Sequence, residues 1–414
     1  MKSLRRPKNK KRMAPMVPGG WPLIGHLRAF DNGKQSNHTF GDMADVTEHS
    51  RAGEVDVAFG ELYRQWEQKG GSQKGVLVDM SQEFHDLIKN FSLMMIAGKR
   101  YYGASPNCEI GEAMRCGKLF RDFVDYFGLY LLSDLVPPLG WLEWRTKRDM
   151  KRTASALDEL LEAWIEEHKK KRKDSVSGGN LLDLLLEVFE QQDNPSLDDG
   201  GHKTIKSLCL NLVLSGTQAT IVTLVWAVSL LANNPDVLKK AQEELQRTIG
   251  ESRAVEESDL KDLVYLQAIV KETLRLYPPA TLTPYRVVME DFDIANETFM
   301  FLQRDPNLWS NPEAFERERF LTSDREVDVG GQSYKLTPFG LGRMACPGIP
   351  LGMTMVQYLL ARFLHSFDLA TPSGQDVDMI ENNGFANYKA TPLELFITPR
   401  LHKSLYQNGS HRAC

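Results

Sequence analysis

From Ser207 to Pro235 the chain runs 29 residues without one charged side chain. A stretch of that length and apolarity either crosses a bilayer or passes through the interior of a large core. Asn211, Ser215, Gly216, Thr217, Gln218, Thr220 and Thr223 crowd its middle, where polar groups facing lipid are costly. The pattern predicts a long helix through a large core, its polar waist turned toward a cavity. A membrane-spanning interaction protein built on Ser207–Pro235 is the competing expectation.

Helical spacing dominates the remainder. Apolar residues recur at helical intervals from Thr153 to Lys173, whose lysine-rich end complements the helix dipole. Ser175–Asn180 reads as a break, Leu181–Gln191 as an amphipathic helix and Gln192–Gly201 as a polar loop. Pro235 opens a helix that Gly250 stops. Leu260–Leu276 is a further helix, ended by Tyr277-Pro278-Pro279, and Leu351–Phe367 another. With 414 residues there is chain enough for one extensive core.

Seven of the first twelve residues are Lys or Arg, whereas acids and bases are mixed thereafter. No wide basic face results, which predicts no nucleic-acid partner. The basic start gives way to a Pro- and Gly-rich stretch from Ala14 to Gly25, stiff and non-helical. The organisation predicted is a basic tail over 1–13, a Pro-rich connector over 14–27 and a single domain over 28–414. Neither a signal peptide nor an anchor helix is expected in this sequence. A basic tract beside such a connector commonly flanks a membrane anchor on the cytosolic side; a solvated tail accounts for it equally well. Five scattered cysteines, Cys108, Cys116, Cys209, Cys346 and Cys414, fit neither a disulfide framework nor a zinc site. They point to a reducing compartment, with at most one cysteine doing chemistry.

That cysteine is Cys346, in Phe339-Gly-Leu-Gly-Arg-Met-Ala-Cys346-Pro-Gly348. Two glycines let the backbone pass close beneath a flat ligand. A position just before a helix puts the sulfur where the dipole and free amides favour a thiolate. A thiolate ligand pushes electron density onto haem iron. The bland reading is a buried structural cysteine in a Gly-rich turn.

These residues resemble the signature of the cytochrome P450 superfamily, Phe-x-x-Gly-x-Arg-x-Cys-x-Gly. Glu272-Thr-Leu-Arg275 looks like the family's Glu-x-x-Arg, and Pro312-Glu-Ala-Phe315 with Arg319-Phe320 like the segment after it. Arg317 stands where that segment has its second Pro. The connector resembles that of plant microsomal members. Gln303–Trp309 and Lys389–Glu394 resemble the subgroup that oxidises alkaloids, flavonoids and furanocoumarins. The resemblance implies a mainly α fold with small β-sheets and a haem b (iron protoporphyrin IX) whose iron is bound by Cys346. It further implies that Phe339, Gly340, Arg343, Gly348 and, after Pro284-Tyr285, Arg286 surround the haem, both arginines toward propionates. Gly216, Gln218 and Thr220 would line the oxygen side. Glu272, Arg275 and Arg319 would form a structural ion-pair triad, with Thr281–Pro284 and Asn387-Tyr388 facing substrate. Implied too are monooxygenation of a small hydrophobic secondary metabolite and electrons from NADPH through NADPH-cytochrome P450 reductase. The implied state is a monomer on the cytosolic face of the endoplasmic reticulum membrane.

Two departures qualify that picture. Where the family carries an acid followed by Thr, this chain has Gln218 and Ala219, which offer neither a carboxyl nor a hydroxyl. Secondly, Met43–Val46 runs almost directly into Glu54–Tyr63, which resembles a later helix. This predicts a fold incomplete at the N-terminal sheet and the B–C helix region, lacking the family's Trp-x-x-x-Arg. Trp141–Arg145 matches that string by coincidence. A catalytically impaired or haem-free relic and a haem-thiolate enzyme rearranging peroxides are therefore the alternatives.

Overall fold

The computed structural model describes residues 48–71, 74–103, 110–127, 129, 131–173, 180–191, 197–280, 302–330, 333–342, 345–372, 374–382 and 386–407. The tail, the connector, Arg286, Arg343, Cys108, Cys414 and the Thr281–Pro284 loop lie outside the described residues.

The chain begins its described course in α1 (Glu48–Gln68), then β1 (Val76–Asp79), α2 (Met80–Ala97) and α3 (Ile110–Phe127). The short α4 (Leu132–Leu135) precedes α5 (Trp144–Lys173), α6 (Leu181–Gln191) and α7 (Leu197–Asn211). A π-helical segment, Leu212–Gly216, joins α7 to α8 (Thr217–Ala232). There follow α9 (Pro235–Thr248), α10 (Val264–Leu276), α11 (Ile349–Ser366), β2 (Phe367–Ala370), β3 (Glu394–Pro399) and α12 (Ser404–Gln407). The predicted helices recur with shifted ends. α5 starts at Trp144, ahead of Thr153, and α7 starts at Leu197, inside the predicted polar loop. The predicted 260–276 helix is split, a 3-10 turn over Glu257–Asp262 leading through Leu263 into α10.

The charge-free run is a core element. Val222, Leu224, Trp226 and Val228 of α8 are almost fully buried, and α8 packs against α2, α10 and α11. Gly201–Ala232 has the length and apolarity to cross a membrane, yet most of that apolar window is buried within the protein. Hydroxyls that would be costly in such a helix donate back to its own carbonyls: Thr220 Oγ1 to Gly216 O at 2.9 Å, Thr223 Oγ1 to Ala219 O at 2.8 Å, Ser229 Oγ to Val225 O at 2.7 Å.

A three-stranded antiparallel sheet, order β1-β3-β2, closes one side. Val76 pairs with Ile397 and Val78 with Leu395, and all four point into the core. At the end of α2, Gly98 takes φ +64° and donates to Met94 O at 2.9 Å. A Cβ there would meet Asn180 Nδ2 at 2.8 Å and sit on a left-handed backbone, so glycine closes this helix with least strain.

Candidate haem site

Cys346 ends a loop that folds back on itself. Its N–H donates to Phe339 O at 2.8 Å, the Ala345 N–H to Gly342 O at 3.0 Å and the Gly340 N–H to Thr337 O at 3.1 Å. Gly340 at φ +75° and Gly342 at φ +65° supply the left-handed joints that this closure needs. Phe339 anchors the loop by packing against the core, and Gly348 caps α11 two residues after the sulfur. The thiol is free and partly exposed.

The electrostatics correct one expectation. The Gly348 amide does favour a thiolate at Cys346, but burial outweighs it and pushes the thiol above its ordinary value. The helix end alone therefore does not ionise the sulfur; an iron ligand would, because coordination displaces the thiol proton.

From the end of α7 through the π segment into α8, Asn211, Ser215, Gly216 and Ala219 form an exposed stripe, and a Cβ on Gly216 would meet nothing within 4 Å. Thr217 is buried and its hydroxyl donates to Val213 O, while Thr220 is committed to Gly216 O. The half-buried Gln218 accepts a hydrogen bond from the Tyr388 hydroxyl through Oε1 and reaches Thr217 Oγ1 with Nε2 at 3.4 Å. Tyr388 lies 170 residues from Gln218, and no local pattern signals the contact.

Glu272, Arg275 and Arg319 do come together. Arg275 grips Glu272 with Nε at 2.8 Å and Nη2 at 2.9 Å, and Arg319 Nε stands 3.3 Å from Glu272 Oε1. Arg275 also donates to the carbonyls of Gln303, Pro312 and Ala314. Sequence reasoning missed the hub of this cluster, Trp309. Arg275, Arg319 and Lys335 lie over its indole at 5.1, 5.6 and 4.6 Å. Trp141 and Arg145, by contrast, are at the exposed start of α5, where Arg145 lies over Trp144.

The cytochrome P450 family model matches residues 54–393. The chain belongs to the cytochrome P450 family. It is similar to xanthotoxin 5-hydroxylase of Arabidopsis thaliana, 42% identical over 87% of this chain and 72% of that protein. Flavonoid-6-hydroxylase of Mentha piperita is 42% identical over 86% of this chain and 70% of its own. Protopine 6-monooxygenase of Eschscholzia californica is 40% identical over 90% of this chain and 72% of its own. A zebra fish cytochrome P450 structure with progesterone matches at a TM-score of 0.68 and 21% identity, covering 88% of this chain and 82% of that one; it establishes the shared fold. This P450 is of the plant type and is a monooxygenase with haem b as cofactor. The donor set fits that group, a soft sulfur on a glycine-jointed loop together with a helix stripe left open at Gly216.

Proposed function

We propose that this P450 inserts one oxygen atom from O₂ into a small hydrophobic plant secondary metabolite of the coumarin, flavonoid or alkaloid kind, with electrons from NADPH through a P450 reductase. The observation that carries the proposal is the Cys346 loop, closed on Phe339 O and jointed at Gly340 and Gly342. Bound haem supplies the oxygen-activating chemistry. Cys346 Sγ would hold its iron, Phe339, Gly340 and Gly348 would shape the loop that carries the sulfur, and Arg343 and Arg286 would neutralise its propionates. The stripe at Gly216 admits the small diatomic and substrate. Glu272, Arg275 and Arg319 keep the scaffold behind the loop rigid.

On the oxygen side the residues hold protons more than they move them. Thr220 Oγ1 and Thr217 Oγ1 direct theirs into backbone carbonyls, and Gln218 has no acid proton. This favours a second reading, a P450 that binds haem and substrate but couples electrons to product poorly. The 28–414 domain, preceded by the basic tail over 1–13 and the connector over 14–27, works as a monomer at the cytosolic face of the endoplasmic reticulum membrane.

Purified protein reduced under carbon monoxide is expected to show the red-shifted Soret band of thiolate-ligated haem and to consume oxygen with NADPH and reductase. A folded protein without that band defeats the proposal. Turnover of a lipid hydroperoxide without reductase would replace it by peroxide rearrangement.

A further inference from the structure

The exposed stripe that runs from the end of α7 into α8 has an abrupt end. Asn211, Ser215 and Ala219 succeed one another at helical spacing and are open, whereas Val222 and Trp226, next on the same face, are buried to 1% and 0% exposure. The loop leading to β3 reaches Trp226. Trp226 Nε1 donates to Asn387 O at 2.7 Å, the Asn387 N–H donates to Pro279 O at 2.9 Å, and the Asn382 N–H donates to Tyr388 O at 2.7 Å. Tyr388 stands at the border, its ring stacked on His85 of α2 at 6.2 Å and 20°. His85 is itself fixed through Nδ1 to Ser81 O at 2.8 Å.

We propose that Tyr388 is a positioning residue for Gln218, its hydroxyl holding the side-chain amide in one orientation so that the end of the stripe presents N–H donors to a ligand. An amide has one acceptor end and one donor end. The phenol occupies Oε1, and Nε2 is left toward Thr217 with a further N–H to give. Burial pushes the Tyr388 hydroxyl up to about 12, so it remains a donor at any physiological pH. One residue away, Asn387 Nδ2 is buried without a hydrogen-bond partner. A border that presents the Gln218 amide N–H selects ligands carrying an acceptor oxygen, a lactone carbonyl or an ether, over hydrocarbons of the same shape. This inference rests on the proposed substrate class and deepens it.

Two measurements test it. The first is a double-mutant cycle in urea unfolding with Tyr388→Phe, Gln218→Met and both together. Each single change should shift the unfolding equilibrium about fivefold, and the pair no further than one of them. Additive losses would show that the bond does not operate. This arm needs no haem, so its outcome is independent of whether Cys346 binds iron. The second compares dissociation constants for coumarin and naphthalene, planar probes with and without acceptor oxygens, by optical difference or tryptophan quenching. Tyr388→Phe keeps the ring on His85 and should reduce the preference for coumarin about fivefold, leaving naphthalene binding unchanged. An unchanged preference, or equal weakening of both probes as a purely structural residue would give, overturns the assignment.

Discussion

Arg275 and Glu272 meet fork to fork, Nε on Oε2 at 2.8 Å and Nη2 on Oε1 at 2.9 Å, and both side chains are completely buried. One helical turn apart on α10, they can do this because i and i+3 share a face. Arg319 adds a second guanidinium at 3.3 Å. The cluster is stable only as a set, since each buried charge depends on the others to offset its lost hydration.

Glu272→Gln is therefore expected to destabilise the fold by about 3–5 kcal/mol, because two buried guanidiniums lose their shared carboxylate. Thermal unfolding of the purified variant checks this. A loss under about 1 kcal/mol, the range of an exposed pair, would mean the cluster is solvated.

Cys346→Ser should abolish the red-shifted band of the reduced, carbon monoxide-treated protein and lower haem content, while the apoprotein still folds. Pyridine haemochrome assay and near-ultraviolet circular dichroism read the two properties separately. A serine variant with unchanged pigment and spectrum is the contrary result.

Glu54 brings a pH dependence. Burial raises its carboxyl from 4.5 to about 7, against the opposing pull of Arg100 at 3.4 Å. The folded protein thus binds this proton more tightly than the unfolded chain does. The stabilisation it gives is complete below pH 4.5 and disappears as pH rises through 7. The stability of Glu54→Gln relative to the parent should accordingly climb across that window, by on the order of 2–3 kcal/mol. Urea midpoints at pH 5 and pH 7.5, buffers outside the acid-unfolding range, give the comparison, and a constant difference between the two proteins contradicts it.

Ala219→Thr restores a hydroxyl on the open stripe beside Gly216, where Ala219 is exposed and has room. Product formed per NADPH consumed should rise by roughly tenfold, less than the ~100-fold or more that a placed acid–base group gives a rate, because coupling is capped at one product per NADPH. Unchanged coupling would show that a missing hydroxyl at this position is not what limits proton delivery.

Trp226→Phe removes the donor to Asn387 O and weakens the stack on Tyr277, whose ring centroid lies 4.1 Å away at 14°. A cost of about 1–3 kcal/mol is expected from the carbonyl left unpaired. Urea unfolding measures it. Faster hydrogen exchange at Asn387, whose N–H donates to Pro279 O, should accompany the loss.

Local chemistry was legible in the sequence wherever neighbours in the chain are also neighbours in space. The closed shape of the Phe339–Gly348 loop was legible because its glycines and cysteine lie within one short segment, and Glu272 announced Arg275 because a helix brings them together. The charge-free run already indicated a core helix by its polar waist. What the sequence could not decide was each balance set by distant parts. Whether Cys346 is ionised depends on how deeply other segments bury it, and burial outweighs the Gly348 amide. That Gln218 would receive a phenol depends on a loop 170 residues away, and that Trp309 would gather three cations depends on three separate segments converging. Desolvation and long-range pairing are properties of the packed chain, so only the tertiary structure fixes them.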